Sequence, residues 1–228
     1  MLRRFLHATS NRVAWLRRGQ RVQVATSPVK VNLGSGLMVA PGWVNVDSSL
    51  NAFFSGWPSP LLKTLYAFTD AQRFFTVEEY IRLLKENRFI FHSLQHGVPF
   101  TDESIDFVYS SHLLEHFFRE EAKLFLTDIY RSMKKGGRIR LAVPDLEIAL
   151  RHYYQGEKEL ALSFFFTASH AGVFDAHRYM YDFDLLRELL ESVGFRNVVR
   201  YSFQEGLVPD LETLDNRPEE TLYTEATK

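Results

Sequence analysis

The sequence predicts an α/β chain built on a mostly parallel sheet. Three observations carry that expectation. Short apolar runs alternate with segments of helical period, the pattern of strand–crossover–strand units. One run, residues 105–110, is almost wholly apolar, as a strand buried on both faces requires. And Gly34-Ser35-Gly36 follows directly on an apolar strand, while the next strand ends in an acid, Asp47. At 228 residues the chain is one domain, or one domain with a sizeable insertion.

The elements follow in order. Strands are expected at 29–33 and 43–47. Only six residues separate Gly36 from Trp43, and a parallel crossover normally takes about a dozen. The helix after the first strand must therefore be about one turn or missing. Helices are expected at 61–68 and 77–86, the second opened by a Thr76/Glu79 capping box. Residues 89–91 read as the third strand, so 48–88 form a helical insertion between strands two and three. After the fourth strand comes a helix at 112–133, ended by Gly136-Gly137, and a fifth strand at 138–143. Helices at 146–154, 157–166 and 184–193 follow, the last closed by Gly194. Residues 198–203 and 222–226 read as two closing strands.

Composition narrows the class. Hydrophobic residues make up 46% and Phe alone numbers 20, ample for a core. No apolar run reaches the ~18 residues of a membrane span. Cysteine is absent, which excludes disulfides and thiolate chemistry and is compatible with a cytoplasmic protein. Net charge is −1, but residues 1–46 hold seven basic residues and no acid, leaving 20 basic against 28 acidic, a net of −8. Leu2, Phe5, Leu6, Val13, Trp15 and Leu16 are interleaved with these arginines. Residues 1–28 thus read either as a peripheral contact with anionic lipid or as a basic extension docked on the acidic body. The arginines are not followed by the long apolar core of a secretory signal.

The glycine loop and the acid suit a nucleoside-containing cofactor. Glycines let a ligand approach the strand end closely, and the acid can accept two hydrogen bonds from a ribose diol. A dinucleotide fingerprint wants Gly or Ala where Val39 stands, and its acid about 20 residues on, whereas Asp47 follows Gly36 by eleven. The Gly-Lys-Ser/Thr of a phosphate-binding loop is missing.

Three further segments sharpen this: His92-Ser-Leu-Gln-His-Gly-Val-Pro-Phe100 with Thr101-Asp-Glu-Ser-Ile-Asp-Phe-Val-Tyr-Ser-Ser-His-Leu-Leu-Glu-His116; Met133-Lys-Lys-Gly-Gly-Arg-Ile-Arg-Leu-Ala-Val-Pro144; and Phe183-Asp-Leu-Leu-Arg-Glu-Leu-Leu-Glu-Ser-Val-Gly-Phe195. With the glycine loop they resemble class I S-adenosylmethionine-dependent methyltransferases of the type 11 kind, over about residues 30–203. That resemblance implies a Rossmann-like, seven-stranded, mostly parallel sheet with helices on both faces and an antiparallel last strand, spanning 29–228. A narrower likeness, in Tyr179-Met-Tyr-Asp182 after His177 and in residues 214–228, is to methyltransferases of bacterial surface-polysaccharide pathways. It implies S-adenosyl-L-methionine as cofactor, a sugar or other small molecule as acceptor, no nucleic acid, and a cytoplasmic or membrane-peripheral place of work.

The resemblance also assigns residues. Asn32, Leu33, Gly34, Ser35 and Gly36 would meet the cofactor through their backbone, Asp47 its ribose, and Ser93-Leu94 its adenine, with Ser110 beside them. Many relatives carry Asp where Ser93 stands, and a hydroxyl accepts without charge. His112, at the end of the fourth strand, would take a proton from the acceptor. His116 and His177 are further catalytic candidates, and Asp145, Arg178, Tyr179 and Tyr181 are acceptor-binding candidates. Plainer readings stand beside these. Asp145 and Asp182 suit helix N-caps, Tyr179 and Tyr181 suit a core, and Glu115 with His116 suits a helix cap. No metal is expected. His112-x-x-Glu115-His116 also fits an inverted zinc-protease motif if both histidines share a helical face. A third function class is a non-catalytic partner of a biosynthetic assembly that keeps the cofactor fold.

Overall fold

The computed structural model describes residues 12–166 and 176–228. Its seven strands are β1 (Lys30–Leu33), β2 (Trp43–Asp47), β3 (Arg88–Phe91), β4 (Ile105–Ser111), β5 (Met133–Pro144), β6 (Arg196–Tyr201) and β7 (Thr221–Thr227). They form one sheet in the order β3-β2-β1-β4-β5-β7-β6. Strands β1 to β5 pair in parallel, and β7 runs antiparallel between β5 and β6. This is the expected Rossmann-like sheet with its antiparallel last strand. Strand order reverses at β1, which lies between β2 and β4, so the crevice of such a sheet opens beyond the carboxyl end of β1.

Burial explains the strands. Val31, Leu33, Val46, Val108, Ile139 and Leu141 are buried in the main core, where branched side chains fill both faces of the sheet. The helices are α1 (12–16), α2 (Leu50–Phe54), α3 (Ser59–Tyr66), α4 (Val77–Glu86), α5 (Arg119–Ser132), α6 (Leu146–Tyr154), α7 (Lys158–Ser163), α8 (Phe183–Val193) and α9 (Leu211–Leu214). Among the described residues, no helix is long and apolar enough to cross a membrane.

Residues 48–88 carry α2, α3 and α4 around a core of their own, built on Leu50, Phe54, Leu62, Leu65, Tyr80 and Leu84. The capping box of α4 is present: Thr76 Oγ1 accepts from the Glu79 amide, and Glu79 accepts from the Thr76 amide at 2.8 Å. Residues 34–42 connect β1 to β2 without a helix. Near the amino end, Ala14 packs on Ala52 and Phe91, Val22 bridges to Phe100, and Trp15 and Leu16 stay exposed. Arg3, Arg4, Leu2, Phe5 and Leu6 lie outside the described residues.

Two expectations need correction. The helix expected at 112–133 begins only at Arg119. His112 instead takes a left-handed φ of +48°, Leu114–His116 form a single 3₁₀ turn, and Phe117 is extended. The reason is a competing partner. A continuous helix needs the Glu115 carbonyl to accept from Arg119, but it accepts from Arg178 N at 2.7 Å and Tyr179 N at 3.2 Å. The fifth strand also starts earlier than 138, because Met133 already pairs with Ile105 before a bulge restores register at Phe107 and Arg138.

On the C-terminal side, Arg140 is fully buried and paired with Asp215 at 2.5 Å and Glu225 at 3.2 Å. Arg140→Met would leave both carboxylates buried without their cation. Chemical denaturation should show a loss of about 3–5 kcal/mol; a loss of less than about 1 kcal/mol would show that water already reaches the pair.

Candidate active site

The site is built at the carboxyl ends of β1, β2 and β4. After Leu33 the chain turns through Gly34 at φ +71° and Gly36 at φ +51°, the region that side chains with a Cβ avoid. The buried Asn32 side chain donates to the Met38 carbonyl at 2.8 Å and so ties down the far end of the loop. Asp47 ties down the near end. One of its oxygens accepts from Gly36 N at 2.8 Å and the other from Ser49 N at 2.6 Å. Each oxygen has a second lone pair, so two acceptor positions remain at the end of β2. A Cβ at Gly34 would stand 3.1 Å from the Leu113 side chain, whereas one at Gly36 would meet nothing within 4 Å. The loop is thus packed from behind at Gly34 and open at Gly36.

A cleft of about 220 Å³ lies here. It is lined by Asn32 and residues 34–38 from the end of β1 and by Tyr109, Ser111 and His112 from the end of β4. Asn216 and Arg217 complete it from the chain's end. Sequence reasoning missed these last two. Their signal was the turn-forming Asn-Arg-Pro just before β7, but which strand end they reach depends on where β7 inserts. The Tyr109 hydroxyl donates to the Leu214 carbonyl at 2.7 Å, and Asn216 donates to Ser111 Oγ at 3.4 Å. Burial pushes the Tyr109 hydroxyl well above its ordinary pKa.

The three predicted histidines gather around Glu115, whose side chain is fully buried. His112 Nδ1 stands 3.5 Å from Glu115 Oε1, and His116 Nε2 and His177 Nε2 each stand 3.9 Å from the same oxygen. His112 Nε2 lies 3.0 Å from Thr221 Oγ1. His112, Glu115 and His116 do not share a helical face, as the zinc-protease reading required, because no α-helix runs through them. The third imidazole beside the carboxylate arrives from 61 positions further on, next to the amides that hold the Glu115 carbonyl.

The remaining candidates spread out. Ser110 Oγ donates to the Leu33 carbonyl at 3.1 Å, joining β4 to β1. Ser93 stands at the N-cap position of the short turn Leu94–His96 beyond β3 without a side-chain cap bond, and Leu94 is buried. Asp145 is buried, caps α6 through Glu147 N at 2.9 Å, and pairs with Arg200 at 2.8 Å. Burial raises its pKa despite that partner. Asp182 caps α8 through Leu185 N at 2.8 Å. Arg178 stacks on the Phe118 ring and lies 3.5 Å from Glu121. The Tyr179 hydroxyl accepts from Arg119 at 2.7 Å. Tyr181 is buried in the main core, and burial raises its pKa strongly. Residues 168–172, Ala-Ser-His-Ala-Gly, lie outside the described residues.

A family model described as a methyltransferase domain matches residues 64–141. The match starts after the glycine loop and Asp47 and ends within β5. No curated protein matches the chain. Among solved structures, it superposes on an S-adenosylmethionine-dependent methyltransferase, a possible histamine N-methyltransferase, from Thermotoga maritima. The TM-score is 0.51 at 18% identity, over 98% of this chain and 91% of that one. A possible exported protein from Bordetella parapertussis gives 0.51 at 15% identity, over 97% of this chain and 66% of that one. At such identities the likeness is one of fold. The sheet order is the Rossmann-like one shared with these methyltransferase structures. Within that sheet, residues 64–141 are similar to the methyltransferase-domain model.

Gly34→Ala and Gly36→Ala separate the two loop glycines. Gly36→Ala should cost about 1 kcal/mol of stability from its left-handed backbone alone. Gly34→Ala should cost more, because the new methyl also presses on Leu113. Equal losses in urea unfolding would mean that Leu113 does not back the loop.

Proposed function

We propose that this chain transfers the methyl group of S-adenosylmethionine to a hydroxyl of a small-molecule acceptor, a sugar or glycan precursor. The observation that carries the reading is one cleft lined by both the glycine loop and His112. The residues present fit the cofactor. Asp47 keeps acceptor positions for a ribose diol, and the open side of Gly36 leaves room beside the loop. The resemblance of residues 179–182 and 214–228 to polysaccharide-pathway enzymes supports the sugar acceptor.

When bound, S-adenosylmethionine supplies a methyl group already made electrophilic by its sulfonium. The chain's own work is alignment and proton removal. His112 Nδ1 faces the Glu115 carboxylate, and a proton on Nδ1 leaves Nε2 as the acceptor. Nε2 lies within hydrogen-bond reach of the buried Thr221 hydroxyl and would take the acceptor's proton. Glu115 stabilises the imidazolium that results. The same proposal places the protein in the cytoplasm, working on small molecules rather than nucleic acid, with the exposed basic and apolar side chains of the N-terminal extension turned to an anionic membrane. Exposed Trp15 and Leu16 beside Arg17 and Arg18 support that contact.

Two variants test the reading. Asp47→Ala should weaken S-adenosylhomocysteine binding in calorimetry by about 1–3 kcal/mol; unchanged affinity would put the ribose elsewhere. His112→Asn keeps a residue tolerant of left-handed backbone but removes the base. Turnover on nucleotide-sugars and glycan intermediates should fall by about 10²–10⁴, the usual worth of a general base. Cofactor binding with no turnover of the unaltered chain on any acceptor would favour a non-catalytic partner instead.

A further inference from the structure

We propose that Glu115, His116 and His177 form a binding site for one divalent transition-metal ion beside the cleft. The three offer one ligand atom each, all within 4.8 Å of one another. Both oxygens of the buried Glu115 carboxylate lack a hydrogen-bond partner, and so does His112 Nδ1. A buried carboxylate without donors is costly, by several kcal/mol, unless a cation or proton joins it.

The imidazoles show which. His116 Nδ1 lies 3.3 Å from the Ala176 carbonyl, and His177 Nδ1 lies 2.5 Å from the Phe164 carbonyl. A carbonyl only accepts, so each Nδ1 carries a proton, and in the neutral imidazole Nε2 is then the nitrogen free to ligate. Both Nε2 atoms then point a lone pair at a carboxylate oxygen. Histidines held by Nδ1–H on a backbone carbonyl, with Nε2 turned inward, are the arrangement of metal-ligating imidazoles.

Neither imidazole satisfies the carboxylate directly. At 3.9 Å the two Nε2–Oε1 separations exceed the ~2.7–3.2 Å of a hydrogen bond. Two ligands each bound at about 2.0–2.2 Å to one ion stand roughly 3.0–3.6 Å apart, which a small rotation of either ring reaches. Two nitrogens and one oxygen select a borderline ion such as zinc, cobalt, iron or manganese over magnesium or calcium, which want oxygen alone. Three protein ligands leave positions open, as in catalytic rather than structural sites. Those positions take water or an acceptor oxygen; the acceptor rests on the methyltransferase reading, whereas metal capture does not.

The test uses the full chain, stripped with a chelator and titrated with cobalt(II), without cofactor or acceptor. One cobalt per chain is expected, with visible d–d absorption that zinc displaces. His116→Ala/His177→Ala should lose far more than the roughly 10–100-fold that an outer-shell change costs in metal affinity. If that variant does not fold by circular dichroism, the unaltered chain decides: micromolar zinc should raise its thermal midpoint and a chelator should reverse the rise. An unaltered chain that takes up no stoichiometric cobalt and shows no zinc-dependent midpoint overturns the proposal, as does a folded double variant that binds like the parent. Binding of S-adenosylhomocysteine is measured separately, so either reading can fail alone.

Discussion

One buried guanidinium organises the C-terminal half of the cleft. Arg140 sits in the middle of β5 with no exposure, so every donor it carries must find an acceptor. It donates to Asp215 and Glu225 and to the carbonyls of Ser202 and Glu205. Glu225 in turn accepts from the amides of Leu207 and Val208, and Asp215 from Gln204. The segment between β6 and β7 is therefore wrapped on one charge. Its far end carries Asn216 and Arg217 into the cleft wall. A hydrophobic residue in place of Arg140 could fill the same volume, but it could not hold a loop made mostly of backbone polar groups.

The opposite wall rests on a different device. A crossover helix would normally present its first amides and dipole to a cofactor. Nine residues cannot supply both a helix and the return to β2, and none forms over 34–42. Asp47 takes over part of the helix's structural task by accepting from Gly36 N, fixing the loop to the strand whose end it must share. Leu37 leans on the separate core of residues 48–88, so that insertion braces the loop from outside. The loss of a helix dipole is thus balanced by a fixed carboxylate and a packed support, which shifts the wall's local charge from positive to negative.

Much of the sheet was legible because its strands answer to local pattern. Residues 43–47, 77–86 and 146–154 fall where apolar runs and helical period place them. The errors share one cause. From Leu113 to Phe117 the apolar residues continue a helical-looking pattern, yet the Glu115 carbonyl is claimed by Arg178 and Tyr179, which no local window contains. Early pairing of Met133 with Ile105 is likewise a contact between strands. At the site, the sequence singled out His112, His116 and His177 one by one. It could not bring the third beside the first two, because the tether is a pair of backbone bonds across more than sixty residues. Asn216 and Arg217 carried too little chemistry of their own to stand out before β7 was placed.

The region around Glu115 concentrates features that a sequence selected for stability alone would remove. His112 holds a left-handed backbone that a non-glycine residue adopts at a cost of about 1–2 kcal/mol. Directly after it, a carboxylate is buried without donors, and the Tyr181 hydroxyl nearby is buried without a partner as well. Local rules and the global fold disagree here, and such disagreement gathers where a site must hold reactive groups in place. Each departure has the same direction. The turn at His112 leaves this residue lining the cleft, and the 3₁₀ turn sets Glu115 Oε1 3.5 Å from its Nδ1. The segment from Ala176 then closes the other side with His177. The strain therefore serves to set one carboxylate among three imidazoles, at the strand end where an open α/β sheet places its ligands.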